Sequence, residues 1–316
     1  MNAEFHLSAR NIYSQYGEDG IIEAILERLP TDDWCVEFGA WDGVHLSNSN
    51  HLIRCKGYRS VMIEADPVRY QDLCRNHPRE DCVKLNVFVE FEGPNTLDSL
   101  LARTPIPLNF DFLSIDIDGN DYHIFESLKA YRPKLICIEF NPTIPNEVAY
   151  VQERDFNLKR GCSALALCNL ATAKGYALVA ATHCNLLFVD ESLLSALGMS
   201  RGLELFECRD DREFRVFLFS GYDGSLLTDQ PLRLPWHNVE LGEGALQYIP
   251  RPLRVYAGDY EEAHKRLFRL WLGSRQPKGL RRAVLQELRV PLGSLKRTLL
   301  GSLKKSLSRL RMLSGR

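Results

Sequence analysis

Four oxygen-bearing side chains pose the first chemical question: Asp116, Asp118, Glu139 and Asn141. Each pair is spaced i, i+2 at the end of an apolar run, so within a strand each pair points to one face. Gly119-Asn-Asp121 follows the first pair and Phe140 sits within the second. In an open α/β sheet, neighbouring strand ends border the ligand crevice. Four oxygen ligands there suit Mg²⁺ or another hard divalent cation, which lowers the pKa of a bound hydroxyl. Without a metal, one carboxylate, Asp118 first and Asp116 beside it, serves as a general base. A structural reading also stands, in which the acids cap helices or pair with Arg132 and Lys134.

A second constellation lies upstream. Trp34-Cys-Val-Glu-Phe-Gly-Ala-Trp-Asp-Gly43 is a short apolar strand ending in an acid, Glu37, and a turn holding Gly39, Ala40 and Gly43. About 20 residues on, Val61-Met-Ile-Glu-Ala-Asp66 is another strand ending in an acid, Glu64, followed by Ala65. A small turn beside a ligand with a ribose-binding carboxylate one strand over reads as a nucleotide-type cofactor site. Trp41 stands where G-x-G-x-x-G has its middle glycine, which disfavours close approach of a pyrophosphate. S-adenosylmethionine has no phosphate and tolerates the bulkier turn, so it is the expected cofactor. The plain alternative is a strand, a turn and a helix with solvated acids.

Here the motifs resemble a known family. Glu37–Gly43, Ile63–Asp66, Thr96-Leu-Asp-Ser-Leu-Leu101 and Asp111-Phe-Leu-Ser-Ile-Asp-Ile-Asp-Gly119, in that order, are similar to the FkbM-type S-adenosylmethionine-dependent methyltransferases. Gly175-Tyr-Ala-Leu-Val and Asn185-Leu-Leu-Phe-Val match the family's closing hairpin. The resemblance spans about residues 12–195 and implies methyl transfer to a hydroxyl, often on a sugar or secondary metabolite. Asp98, from its loop and helix, and Asp116 are further candidate cofactor contacts. Two departures stand out: Ser114-Ile-Asp-Ile-Asp-Gly119 replaces the usual Lys-Ile-Asp-Val-Glu-Gly, and Tyr13-Ser-Gln-Tyr-Gly-Glu-Asp-Gly20 belongs only to some members.

That last segment precedes a helix, so Glu18 or Asp19 suits its positive end. Its polar and aromatic density predicts a lid, with Tyr16 offering a ring face to a cation. Tyr16, Glu18, Asp19, Glu139, Asn141 and Asn185 are the candidate substrate contacts. His183, in the link of the hairpin, is a candidate base, although turn histidines are commonly solvated. His45, Ser47 and Asn48 follow the glycine turn and are placed to face cofactor or acceptor.

The elements that must carry these groups alternate. The patterns predict strands at 34–38, 60–65, 82–89, 110–117 and 134–140, with helices at 20–29, 47–55, after Pro67, at 96–101, 120–130 and 162–174. A hairpin at 176–181 and 186–189 closes the series. Alternating strand and helix predict a Rossmann-like, doubly wound, mostly parallel sheet with one antiparallel edge hairpin strand. The expected division is a methyltransferase domain over 1–195 with an N-terminal lid and helix at 12–33. An extension packed on it follows at 196–274, then a basic amphipathic tail at 275–316.

Charge is uneven along the chain. Before Arg275 there are 27 basic and 40 acidic residues; from Arg275 on there are 12 basic residues and one acid, Glu287. Leucines at 285, 288, 292, 295, 299, 303, 307 and 310 put one apolar face on the tail, interrupted by Pro291, Gly293 and Gly301. An acidic body makes nucleic acid a poor partner, while the tail suits an anionic membrane surface. Nine cysteines include no C-x-x-C pair, and several, such as Cys35 and Cys137 inside apolar strand-like runs, read as reduced core residues. No signal region or spanning apolar run is evident, so a cytoplasmic or peripheral protein at the inner membrane face is expected. The absence of G-x-S-x-G and P-loop motifs disfavours hydrolases and kinases. The reading is a methyltransferase acting on a small-molecule or glycan hydroxyl. Its rivals are a non-catalytic methyltransferase-like binding protein and a nucleotide-sugar-modifying Rossmann enzyme.

Overall fold

Five β-strand runs of alternating inward residues are buried on both faces, and that requirement builds the fold. A computed structural model describes residues 5–275. Its first unit ends at Arg215. In it lie β1 (Trp34–Phe38), β2 (Arg59–Glu64), β3 (Cys82–Asn86), β4 (Phe112–Ile115), β5 (Leu135–Glu139), β6 (Tyr176–Ala181) and β7 (Asn185–Asp190). They form one sheet in the order β3-β2-β1-β4-β5-β7-β6. All neighbours are parallel from β3 to β5, and β7 runs antiparallel to both β5 and β6. The reversed strand of the expected hairpin is therefore set one place in, and β6 takes the edge. A two-sided burial pattern explains the near-continuous apolar strands.

Alternate residues of each strand feed two cores. Val36, Val61, Leu113 and Ile136 pack on one side with α4 (Leu97–Leu101), α5 (Asp121–Ser127) and α6 (Ala164–Ala173). Cys35, Met62, Phe112, Leu135 and Cys137 pack on the other with α1 (Glu18–Leu26) and α2 (Asn50–Cys55), and with Leu73 of α3 (Pro67–Asn76). Each fully buried Leu, Ile or Phe contributes about 1.5–3 kcal/mol. Pro67 opens α3 at its first turn, and Asp66 caps it by accepting from Val68 and Arg69 N–H groups.

The first unit continues past residue 195. Arg209, buried, donates to the carbonyls of Pro142 and Ile144, bonds Asn146, and lies over the Phe140 ring. Asp211 accepts the Asn146 N–H at 2.8 Å. With α7 (Leu205–Cys208) these residues clamp the loop after β5. Phe214 N–H is drawn into a turn on Asp211 O, and the next strand begins only at Leu218.

The second unit starts at Val216. Its described residues form two hairpins, β8 (Leu218–Ser220) with β9 (Leu226–Thr228) and β10 (Leu232–Leu234) with β11 (Val239–Leu241), then α8 (Glu243–Leu246) and α9 (Glu262–Arg275). Among the described residues no helix is long and apolar enough to cross a membrane. The basic tail from residue 276 on lies outside the described residues.

Candidate active site

The site grows from one backbone approach. Gly39 has φ +81°, and a Cβ there would collide with the Asp116 carbonyl. Gly39 and Ala40 N–H groups both donate to Ile63 O at 3.1 Å, while Asp116 N–H reaches Phe38 O. The glycine turn thus bridges the ends of β2 and β4, and only a residue without Cβ fits. This brings Glu37–Gly43, Glu64 and Asp116 to one edge of the sheet.

Glu64, 8% exposed, ends β2. Its Oε2 accepts the Trp41 N–H and its Oε1 the Asp66 N–H, each at 2.7 Å. Each oxygen keeps a second lone pair, so a ribose diol can still donate to this carboxylate. Trp41 sits at φ +50° with Arg69 4.2 Å over its ring. Asn86 ends β3 beside Glu64 and donates to Glu64 O and Ala65 O. The sequence reading ran this strand on to residue 89 and so passed over its polar end.

Several expected cofactor contacts have other duties. Glu37 is buried with its oxygens given to Ser47 Oγ, Ser49 Oγ and Asn48 N–H at 2.5–2.8 Å. Burial raises its pKa, and those hydrogen bonds work against the rise. It holds the loop below the turn, and so do Ser47 and Asn48. His45 is exposed. Gly43 faces α3: a Cβ there would meet Leu73 and His77. Asp98 is placed at the opposite end of the sheet, where its carboxylate accepts the N–H groups of Lys129, Ala130 and Tyr131 ahead of β5. The loop after β3 carries the chain down before α4 begins, so Asp98 is not a cofactor residue.

The acids come together. One oxygen each of Asp116, Asp118 and Glu139 lie within 4.8 Å of one another. Glu139 hydrogen-bonds Asp116, and burial, then Asp116, pushes its pKa up to about 10. Burial, then Asp118, raises Asp116 to about 6. With both carboxyl groups raised, the hydrogen-bonded pair shares one proton near neutrality. Asp118 is exposed, at φ +55°, on a tight loop that Asp121 fixes by accepting the Ile117 and Gly119 N–H groups at 2.9 Å. Burial, then Asp116, lifts Asp121 to about 7.

Asn141 does not join them. Its Oδ1 accepts from Thr143 N–H and Oγ1, and its Nδ2 donates to Arg160 O. It is spent on the loop after β5, which corrects its place among the metal and substrate ligands.

The N-terminal segment closes the other flank. Glu18, 1% exposed, accepts from Tyr16 N–H, Thr182 Oγ at 2.6 Å and Asn185 Nδ2 at 3.2 Å. Asp19 Oδ2 accepts the N–H groups of Ile12, Tyr13 and Ser14, so that oxygen shapes the loop. Tyr16 and His183 meet ring to ring at 4.7 Å, and His183 meets Phe214 at 5.6 Å. His183 is exposed, one wall of an aromatic shelf. Thr182 and Phe214 carried no signal in the sequence, since their role depends on chain segments far apart.

A seven-stranded sheet of this order, reversed at one strand and carrying acids at the ends of β2 and β4, is the Rossmann-like frame shared by S-adenosylmethionine-dependent methyltransferases. Residues 94–162 match the family model described as the methyltransferase FkbM domain, which supports the FkbM-type resemblance of the motifs. The chain is also similar to solved structures. An O-methyltransferase from Bacillus cereus in complex with SAH is 19% identical, with 57% of this chain and 84% of that one covered and a TM-score of 0.39. A putative caffeoyl-CoA O-methyltransferase from Staphylococcus aureus is 13% identical, with 60% and 88% covered and a TM-score of 0.39. An S-adenosylmethionine-dependent methyltransferase from Clostridium acetobutylicum is 10% identical, with 54% and 89% covered and a TM-score of 0.35. No curated protein sequence matches the chain.

Proposed function

We propose that this methyltransferase acts on oxygen, methylating a hydroxyl of a sugar, glycan or glycolipid precursor. The observation that carries the reading is the meeting of the Asp116 and Glu139 carboxyl groups, hydrogen-bonded to each other, beside the cofactor turn. S-adenosylmethionine supplies an electrophilic methyl group when bound. Glu64 would hold its ribose and the Gly39–Trp41 turn would line it. Asp116, with a pKa of about 6, is matched to accept a hydroxyl proton near neutral pH. Glu139 keeps its own proton and steadies that carboxylate by donating to it. Placement of the two reactants adds much of the rate.

The sugar class rests on the family resemblance together with the basic, leucine-patterned tail, which suits an enzyme held at an anionic inner membrane face. Titration calorimetry with SAH on wild type and Glu64→Ala tests the cofactor reading. Loss of a charged acceptor for ribose hydroxyls costs about 1.5–3 kcal/mol, so affinity should fall about 10- to 100-fold. Equal binding by both proteins would sink the assignment.

A second reading is favoured by the close approach of the Asp116, Asp118 and Glu139 oxygens. These three carboxylates would hold Mg²⁺ or Mn²⁺ and the ion would polarise the hydroxyl. Calorimetry with each ion in the presence of SAH decides it: heat of binding that vanishes in Asp118→Asn supports the metal, and no heat rules it out.

A further inference from the structure

The second unit has apolar faces and almost no core. Among its described residues Leu253 is the one buried apolar side chain. Its strands pair as two separate hairpins. Two-stranded hairpins are marginal in water and need a further layer, for which a helix suffices.

Register shows which faces are bare. β10 and β11 pair Leu232 with Leu241 and Leu234 with Val239, so these four aliphatic side chains share one face. Leu234 and Val239 are 40% and 41% exposed, and Trp236, in the turn between the strands, is 66% exposed. The opposite face holds the Arg233–Glu240 ion pair. In the first hairpin the exposed Phe219 stands across from Leu227. Gln247 bonds the N–H and carbonyl of Leu226 and the Glu243 carbonyl, which ties that hairpin to α8.

Charge selects what covers these faces. Between Val216 and Leu246 stand Asp223, Asp229, Glu240 and Glu243 against Arg233 alone. That excess repels both an anionic bilayer and a second copy of the same stretch. The chain after residue 275 has the opposite sign, eleven Lys and Arg against Glu287. From Leu295 to Leu310 it holds six leucines, five cations and no acid. Sixteen residues of helix span about 24 Å, enough to cross two hairpins each about 10 Å long. A covalent link also keeps the segment near its partner at high effective concentration. We infer that residues 295–310 are the missing layer of the second unit, their leucine stripe laid on the apolar hairpin faces and their flanking cations beside the hairpin acids. The inference is independent of the methyl-transfer reading. It leaves an anionic membrane only the outward cations to attract, so the tail meets a bilayer by charge and not by inserting its leucines.

Hydrogen exchange on the full chain tests it, with Leu299→Gln/Leu303→Gln to break the stripe and Leu299→Met/Leu303→Met to keep it apolar. Amides of β8 to β11 should exchange at least about tenfold faster in the glutamine variant and as in wild type in the methionine variant. Those of β1 to β5 should be unchanged throughout. Carbodiimide coupling on an equal mixture of isotope-labelled and unlabelled chains should link Lys296, Lys304 or Lys305 to the hairpin acids within single chains. Hairpin exchange equal in wild type and the glutamine variant overturns the inference, and so does the lack of any such link. Links between labelled and unlabelled chains would put a second copy there instead. Hairpin protection that arises only on adding phosphatidylglycerol vesicles would give the faces to a bilayer; either result also overturns it.

Discussion

Replacing Glu139 by glutamine should make the folded protein more stable at neutral pH. Glu139 titrates near about 10 in the folded chain, against an ordinary 4.5, first because it is buried and next because Asp116 faces it. An acid raised in this way keeps its proton where the unfolded chain has released it. Its penalty is absent below the unfolded pKa and grows as pH rises above it. From 4.5 to pH 7 the growth is about 1.4 kcal/mol per pH unit, or about 3 kcal/mol in all. Any folded pKa above 7 leaves that figure unchanged. Glutamine has the same shape, does not titrate, and can still donate to Asp116. Urea unfolding of both proteins, followed by circular dichroism in metal-free buffer, reads the difference. The variant should lead by about 3 kcal/mol at pH 7 and by under about 1 kcal/mol at pH 5. A gap equal at both pH values, or a variant less stable at pH 7, refutes the shared proton.

Asp116 as proton acceptor must be ionised to work, so SAH release with an acceptor should rise with pH through about 6; a flat profile from pH 5 to 8 counts against it. Asp98→Ala strands three backbone N–H groups near the start of β5, which should cost about 2 kcal/mol in thermal or urea unfolding and leave SAH binding intact. Lost SAH binding without lost stability would return Asp98 to the cofactor site. Gly39→Ala drives a Cβ into the Asp116 carbonyl at a positive φ, so both stability and SAH affinity should fall; an alanine variant that binds SAH normally would mean the turn can move off β4 freely.

Much of the frame was legible because apolar runs and their breaks are local. Strand 34–38 and strand 176–181 appear in the structure with the bounds that their patterns suggest. Helix caps at Asp66 and Thr96 likewise follow from adjacent residues. Errors cluster where a side chain's duty is set at a distance. Gly43 looked like a ligand glycine, yet its missing Cβ makes room for Leu73 and His77 on α3. Asn141 had the spacing of a ligand, but Thr143 and Arg160 claim both ends of its amide. Periodicity places a residue on a face; it does not count the donors that compete for it.

The chain by itself determined the alternating strands and helices, the acids at the strand ends, and the turn at Glu37–Gly43 that tolerates Trp41. Those are properties of neighbours in sequence, where burial period and backbone sterics act. Tertiary structure decided which acids meet. It set Glu139 against Asp116 so that one proton serves both, took Asp98 to the far end of the sheet, and brought Tyr16, His183 and Phe214 into one shelf. Desolvation and charge coupling depend on what lies within a few ångströms in space, and no spacing along the chain encodes that.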